Sequence, residues 1–301
     1  MPAAQPRRPG TYYMIGRRTE RRVHLFRPDK RMDRLFLFCL GVGLAQSGVV
    51  LVAVVLMSNH YHAIVYDPDG SITRLTEKLN LLLTKATQTL RGWKGVVFDA
   101  EGPSYVELLT PRALIKKIGY ALANPTLAGL VRKSADWPGV RTRVEDIGVG
   151  SITVERPTEF FAEDGCMPAE VVLRFEMPEV LIHIYGVKQA RERIAAAVEA
   201  HEQEAHRRAA EKRWVFKGAE RVLKVSPYSR AKSLEDHREL NPRYAGELDE
   251  IKAAVARDRE FVRRYRAARE RWLLGDRHVV WPYGTDAMVR RHWVPCDRAP
   301  T

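Results

Sequence analysis

Val49-Val50-Leu51-Val52-Ala53-Val54-Val55-Leu56-Met57, then Ser58-Asn59, then His60-Tyr61-His62-Ala63-Ile64-Val65, decides how this chain folds. The first run is uncharged and rich in β-branched residues, the composition of a strand buried on both faces. Ser58-Asn59 is short enough for a tight connection, so a second strand over 60–66 returns beside the first. On it, His60 and His62 stand at i and i+2 and share one face, about 6.6 Å apart along the backbone. Polar rings beside a central strand need partners, and a metal ion is one that suits two imidazoles.

Working back from that stretch, residues 35–57 carry no charge and are long enough to span a bilayer. Gln46-Ser47-Gly48 interrupts the run, and the residues on its two sides differ in kind. The first half, from about Asp29 to Ala45, reads as an apolar helix; the second reads as the buried strand. A helix, a turn and a central strand therefore replace a membrane span. Upstream, Thr11-Tyr12-Tyr13-Met14-Ile15 marks a first strand within 10–20.

Downstream, Asp67-Pro68-Asp69-Gly70 is a turn. Ser71 is placed to cap a helix over 72–91, where Leu75, Leu79, Leu82, Leu83 and Ala86 recur at near-helical spacing. Strand-like pieces follow at Val96–Phe98 and Tyr105–Leu109. Thr110-Pro111 then opens a helix to about Ala123, a cap followed by proline at the first helical position. Tyr120 and Asn124, four residues apart, share a helix face, although Pro125 disfavours helical geometry at Asn124. The order strand, helix, two strands, helix, strand, helix predicts an α+β fold. It is a ferredoxin-like antiparallel sheet with helices packed on one face.

Composition changes near residue 150, which divides the chain into 1–150 and a mainly helical module over 151–301. Residues 187–213 and 248–273 read as long helices with solvated faces, and Asn241-Pro242 breaks the segment between them. The formal charge is +13. Residues 1–150 hold 22 basic and 12 acidic side chains, and residues 151–301 hold 28 and 25, so most of the excess lies in the first half. That balance suits a polyanion, nucleic acid before others. Cys39, Cys166 and Cys296 form neither a metal knuckle nor a disulfide framework, which fits a reducing, cytoplasmic setting.

A tyrosine hydroxyl beside a metal can break a phosphodiester covalently. Asn124 can add an amide oxygen to the two imidazoles, a donor set that takes Mn, Co or Zn more readily than Mg. Lys116 and Lys117, with Arg17 and Arg18, are placed to meet phosphates.

Leu56-Met57-Ser58-Asn59-His60-Tyr61-His62-Ala63-Ile64-Val65 resembles the histidine–hydrophobic–histidine signature of single-tyrosine HUH transposases, in particular the REP-associated tyrosine transposase branch. Pro9-Gly10-Thr11-Tyr12-Tyr13 through Arg17-Arg18 is similar to that branch's opening strand. Tyr120-Ala-Leu-Ala-Asn124-Pro125, with Asp136-Trp137-Pro138 after it, resembles its tyrosine helix and following turn. The resemblance covers about residues 9–145. It implies His60, His62 and Asn124 as metal ligands, Tyr120 as nucleophile, and Mg²⁺ or Mn²⁺ as the ion. It also implies cleavage and rejoining of single-stranded DNA at hairpins through a 5′-phosphotyrosine. Ser58 stands where the branch usually has proline, and Leu127 where it usually has arginine; the second removes an expected DNA contact. A replication or conjugation nickase and a non-catalytic DNA-binding regulator of the same fold are the alternatives. The sequence leaves open whether the chain works as a homodimer, with the tyrosine helix serving its own subunit or a neighbour's.

Overall fold

The computed structural model describes residues 6–232 and 243–298. Asn241-Pro242, expected as a break, lies outside them. Strand β1 (Thr11–Arg18) leads through α1 (Lys30–Ser47) to β2 (Val50–Met57), and β3 (His60–Asp67) returns beside it. Helix α2 (Ile72–Arg91), strand β4 (Ser104–Leu108) and helix α3 (Pro111–Leu127) follow. Beyond them come the hairpin β5 (Ser151–Glu155) and β6 (Glu170–Arg174), α4 (Glu179–Glu211) and α5 (Ala219–Leu223). The chain ends with β7 (Tyr244–Ala245), α6 (Leu248–Leu273) and α7 (Asp286–His292).

The main sheet has the order β2-β3-β1-β4-β7, antiparallel except for the short parallel β4–β7 contact. The uncharged run resolves into α1 and β2 as expected, because Gly48 turns the chain out of the helix at φ 72°. Among the described residues no helix is long and apolar enough to cross a membrane. The piece at Val96–Phe98 is reduced to one isolated bridge, Thr19 with Phe98.

Helices cover both faces of the sheet, not one. Side chains alternate across a strand, and here both sets are apolar. Tyr13, Ile15, Leu51, Leu56, Tyr61, Ala63 and Val65 pack with α1 and α2. Met14, Val52, Ile64 and Val106 pack with Leu114, Ile118 and Leu122 of α3. A sheet apolar on both sides cannot leave one of them to water.

The chain passes residue 150 without leaving this core. Val154, Val171, Leu173 and Phe175 of the β5–β6 hairpin and the residues after it lie in the α1/α2 layer. Leu181, Ala190, Ile194 and Val198 of α4 lie in the α3 layer. Helix α4 kinks at Gly186, with φ 71° and ψ 160°, and its longer arm runs against α3. The crossing is close at Gly119, where an added Cβ would stand 2.7 Å from Ala197 Cβ and 2.8 Å from Ala197 C. Gly119→Val is therefore expected to cost about 1–3 kcal/mol through overpacking, read as a lower urea midpoint at unchanged slope. An unshifted midpoint would contradict so close a crossing.

Helix starts are fixed by specific side chains. Asp29 caps α1 by accepting from Met32 N, and Thr110 caps α3 by accepting from Ala113 N. Ser71 does not cap α2 as expected. Its Oγ donates to Ser47 O, and the carboxylate of Asp67 accepts from Ser71 N and Ile72 N. A charged acceptor satisfies two helix-end amides where a hydroxyl would satisfy one.

Candidate active site

Register places the histidines. Strand β3 pairs His62 with Gly16 and His60 with Arg18 on one side, and with Val55 and Met57 on the other. Both imidazoles project from the α3 face, with ring centroids 5.0 Å apart. Gly16 makes room for this. A Cβ there would stand 3.3 Å from His62 Nδ1 and 2.7 Å from Ser104 Oγ.

Helix α3 brings the rest. Contrary to the expected end near Ala123, it continues through Pro125 to Leu127. Asn124, Pro125 and Thr126 are buried, and Arg141 Nε donates to Leu122 O at 2.9 Å. Burial of these residues offsets the bond to Ala121 O that Pro125, lacking an N–H, cannot make. Tyr120 and Asn124 thus keep one face. The phenol ring lies 6.0 Å from His62, centroid to centroid, and Asn124 Oδ1 lies 3.1 Å from His60 Nε2.

The hydrogen bonds around His60 fix its protons. Asn59 Nδ2 donates to Arg22 O, which turns Asn59 Oδ1 toward His60 Nδ1 at 2.8 Å. An amide oxygen only accepts, so Nδ1 carries the proton of the neutral ring. His60 Nε2 then presents a lone pair to the amide oxygen of Asn124. His62 Nδ1 is buried and has no hydrogen-bond partner among the described residues. His60 Nε2, Asn124 Oδ1 and a ring nitrogen of His62 are donor atoms of a kind that suits a cation. Among the described residues no three His, Cys, Asp or Glu side chains gather, so the available ligand set is His60, His62 and the neutral oxygen of Asn124.

Both imidazoles are held neutral. Burial, and then the neighbouring His62, pushes His60 down to about 3. Burial pushes His62 down to about 4, with Lys117 and Arg18 adding to the effect and the Ile15 backbone opposing it. The unfolded chain takes up protons near pH 6.5, whereas the folded one resists until about 4 and then 3. Stability is therefore full above pH 6.5 and falls as pH drops toward 4, by at most about 1.4 kcal/mol per unit for each ring. Urea midpoints of metal-free protein at pH 7, 6 and 5 should show this slope, flattened in a His60→Gln, His62→Gln variant. Parallel profiles would exclude it.

Positive charge surrounds the site. The Lys117 ammonium lies 5.3 Å from the centroid of the Tyr120 ring. Burial and then Lys116 hold it below the usual lysine range. Arg18 and Lys116 are exposed. Arg17 departs from expectation. It points to the opposite face, pairs with Asp99 at 2.5 Å and lies over Phe98, so its charge is already committed within the protein.

One residue beside the tyrosine escaped the sequence reading. His201 of α4 sets its ring 5.8 Å from that of Tyr120, and its Nε2 donates to Lys116 O at 3.2 Å. Nothing local marks it. It stands in an Ala- and Glu-rich helix, and only the α3–α4 crossing brings it here.

No known family profile and no curated protein matches the sequence. Among solved structures, the chain is similar to a REP-associated tyrosine transposase bound to a REP hairpin. The two share 16% identity over 55% of this chain and 92% of that one, with a TM-score of 0.41. It is also similar to a candidate transposase from Deinococcus radiodurans, at 18% identity over 39% of this chain and 94% of that one, with a TM-score of 0.28. At these scores neither likeness extends to activity, substrate or site residues.

Proposed function

We propose that the chain is a metal-assisted nuclease and strand transferase of the transposase type, acting on single-stranded DNA. The observation that carries this reading is the convergence of Tyr120, His62, His60 and Asn124 on one sheet face. Residues from two elements, 58 to 64 positions apart in sequence, supply a nucleophile, neutral imidazoles and an amide oxygen to one place.

The Tyr120 oxygen attacks phosphorus and its proton passes to solvent, while the bond from phosphorus to the 3′ oxygen breaks and that oxygen takes a proton from solvent. This leaves a 5′-phosphotyrosine and a free 3′-hydroxyl. A second strand's 3′-hydroxyl attacks the same phosphorus and expels the phenol oxygen, so the ends join without external energy. Lys117 holds positive charge beside the ring, where it favours the developing negative charge. His60, His62 and Asn124 would hold a divalent ion, Mg²⁺ or Mn²⁺, which when bound draws charge from the phosphate oxygens. Hairpin DNA as the substrate follows from the motif resemblance.

A neutral ligand set among cations binds a dication weakly, and a DNA phosphate supplies the missing negative charge. Metal and DNA are therefore expected to raise each other's affinity by the same factor.

The test is incubation with a hairpin oligonucleotide bearing a single-stranded flank, in Mn²⁺ or Mg²⁺. A protein–DNA adduct that survives denaturant is the expected result. Tight binding with no adduct in either metal would instead make the chain a DNA-binding protein without turnover.

A further inference from the structure

Past Asn124, α3 gives way to a turn that meets the end of α4, and a cavity of about 720 Å³ opens between them. Its walls are aromatic. Trp214 and Phe216 lie 5.1 Å apart between centroids, and His206 stands edge-on to Phe216 at 5.3 Å. Trp214 and Phe216 both keep part of their surface open.

The cavity is held in shape. His206 Nε2 donates to Arg132 O, and the amides of Lys217 and Gly218 donate to Gly129 O and Leu130 O. Trp214 packs so closely on Gly129 that a Cβ there would stand 2.4 Å from its ring. Arg213 adopts a left-handed φ of 51°, which turns the chain back so that Trp214 N reaches Ala209 O.

Charge surrounds the aromatic walls. Among the lining residues Arg132 and Arg213, exposed at the rim and in no ion pair among the described residues, stand against one carboxylate, Asp136, and the exposed Glu211 and Glu220 adjoin the cavity as well. Lys212 and Lys217 flank them, both exposed. The location is also specific. Val131, a cavity wall, packs with Met57, the register partner of His60. His206 follows His201, the neighbour of Tyr120, by five residues on α4, a rise of about 7.5 Å.

Open aromatic faces inside a cationic rim match an unpaired nucleobase with its phosphates, since every base has a face to stack and every phosphate a charge to neutralise. We propose that this cavity is a subsite for an unpaired base of the single-stranded flank, stacked on Trp214 and Phe216, a few nucleotides from the scissile phosphate. The inference rests on the DNA-processing reading above.

The test uses full-length Tyr120→Phe protein, so that no covalent step intervenes. Its probes are a labelled hairpin with a single-stranded flank and the same hairpin made blunt, compared by fluorescence anisotropy. Trp214→Ala and Phe216→Ala are each expected to weaken the flanked hairpin roughly 5- to 150-fold and to leave the blunt one unchanged. Abasic substitution, one flank position at a time, leaves the protein intact. One position should reproduce the loss and cause no further loss in protein carrying both Trp214→Ala and Phe216→Ala. Equal affinity for every abasic flank, or losses that multiply between DNA and protein, would overturn the subsite and leave the DNA-processing reading standing. Failure of the Tyr120→Phe protein to bind any of these DNAs would overturn both.

Discussion

Tyr120→Phe should abolish covalent capture of single-stranded DNA while leaving noncovalent binding within about twofold. The ring occupies a packed setting, with His62 6.0 Å away, His201 5.8 Å away and the Lys117 ammonium 5.3 Å away, all of which phenylalanine preserves. Among the described residues no hydrogen bond holds the phenol oxygen, so its removal orphans nothing inside the protein. The substitution therefore takes away only the attacking atom. Denaturing gels with a flanked hairpin should show an adduct for wild type and none for the variant. Melting temperatures should agree within about 2 °C, the shift of a small surface change. A persistent adduct would place the nucleophile elsewhere.

The second large effect is expected from His60→Ala combined with His62→Ala. Loss of groups that merely orient a metal's ligands costs 10- to 100-fold, so losing both imidazoles should reduce metal-dependent adduct formation by more than about 100-fold. The loss should persist at saturating DNA, because these rings act on the bound phosphate and not on the grip of the strand. The metal-free variant should also be the less acid-sensitive protein, since wild type hides two rings from protonation. An activity loss without this change in pH profile would point to misfolding of β3. Retained activity would remove the metal site from the account.

Much of this arrangement was legible in the sequence because it depends on local pattern. An uncharged β-branched run, a two-residue connection and histidines at i and i+2 fix β2, β3 and the shared face. Thr110-Pro111 and the four-residue spacing from Tyr120 to Asn124 fix the face of α3. The second layer of helices was not legible. Alternating positions on β1 and β3 are apolar on both sides, yet nothing in them names α3 and α4 as the cover. Pro125 misled for a related reason. Its local preference ends helices, but burial of residues 124–126 overrides it. Arg17 shows the limit of counting charge. Sequence records its sign, whereas the ion pair with Asp99 depends on which face of β1 it occupies. His201 and the aromatic cavity depend on the close crossing at Gly119 and Ala197, a contact between residues 78 positions apart.

The central claim is that the oxygen of Tyr120 and the imidazoles of His60 and His62 act on one phosphate. Mass spectrometry of protease fragments, after incubation with a flanked hairpin and Mn²⁺, tests it most directly. The account predicts a single modified peptide carrying a 5′-linked nucleotide on Tyr120, absent from the protein lacking both histidines. Linkage to another residue, or linkage to Tyr120 that survives loss of both rings, would contradict it.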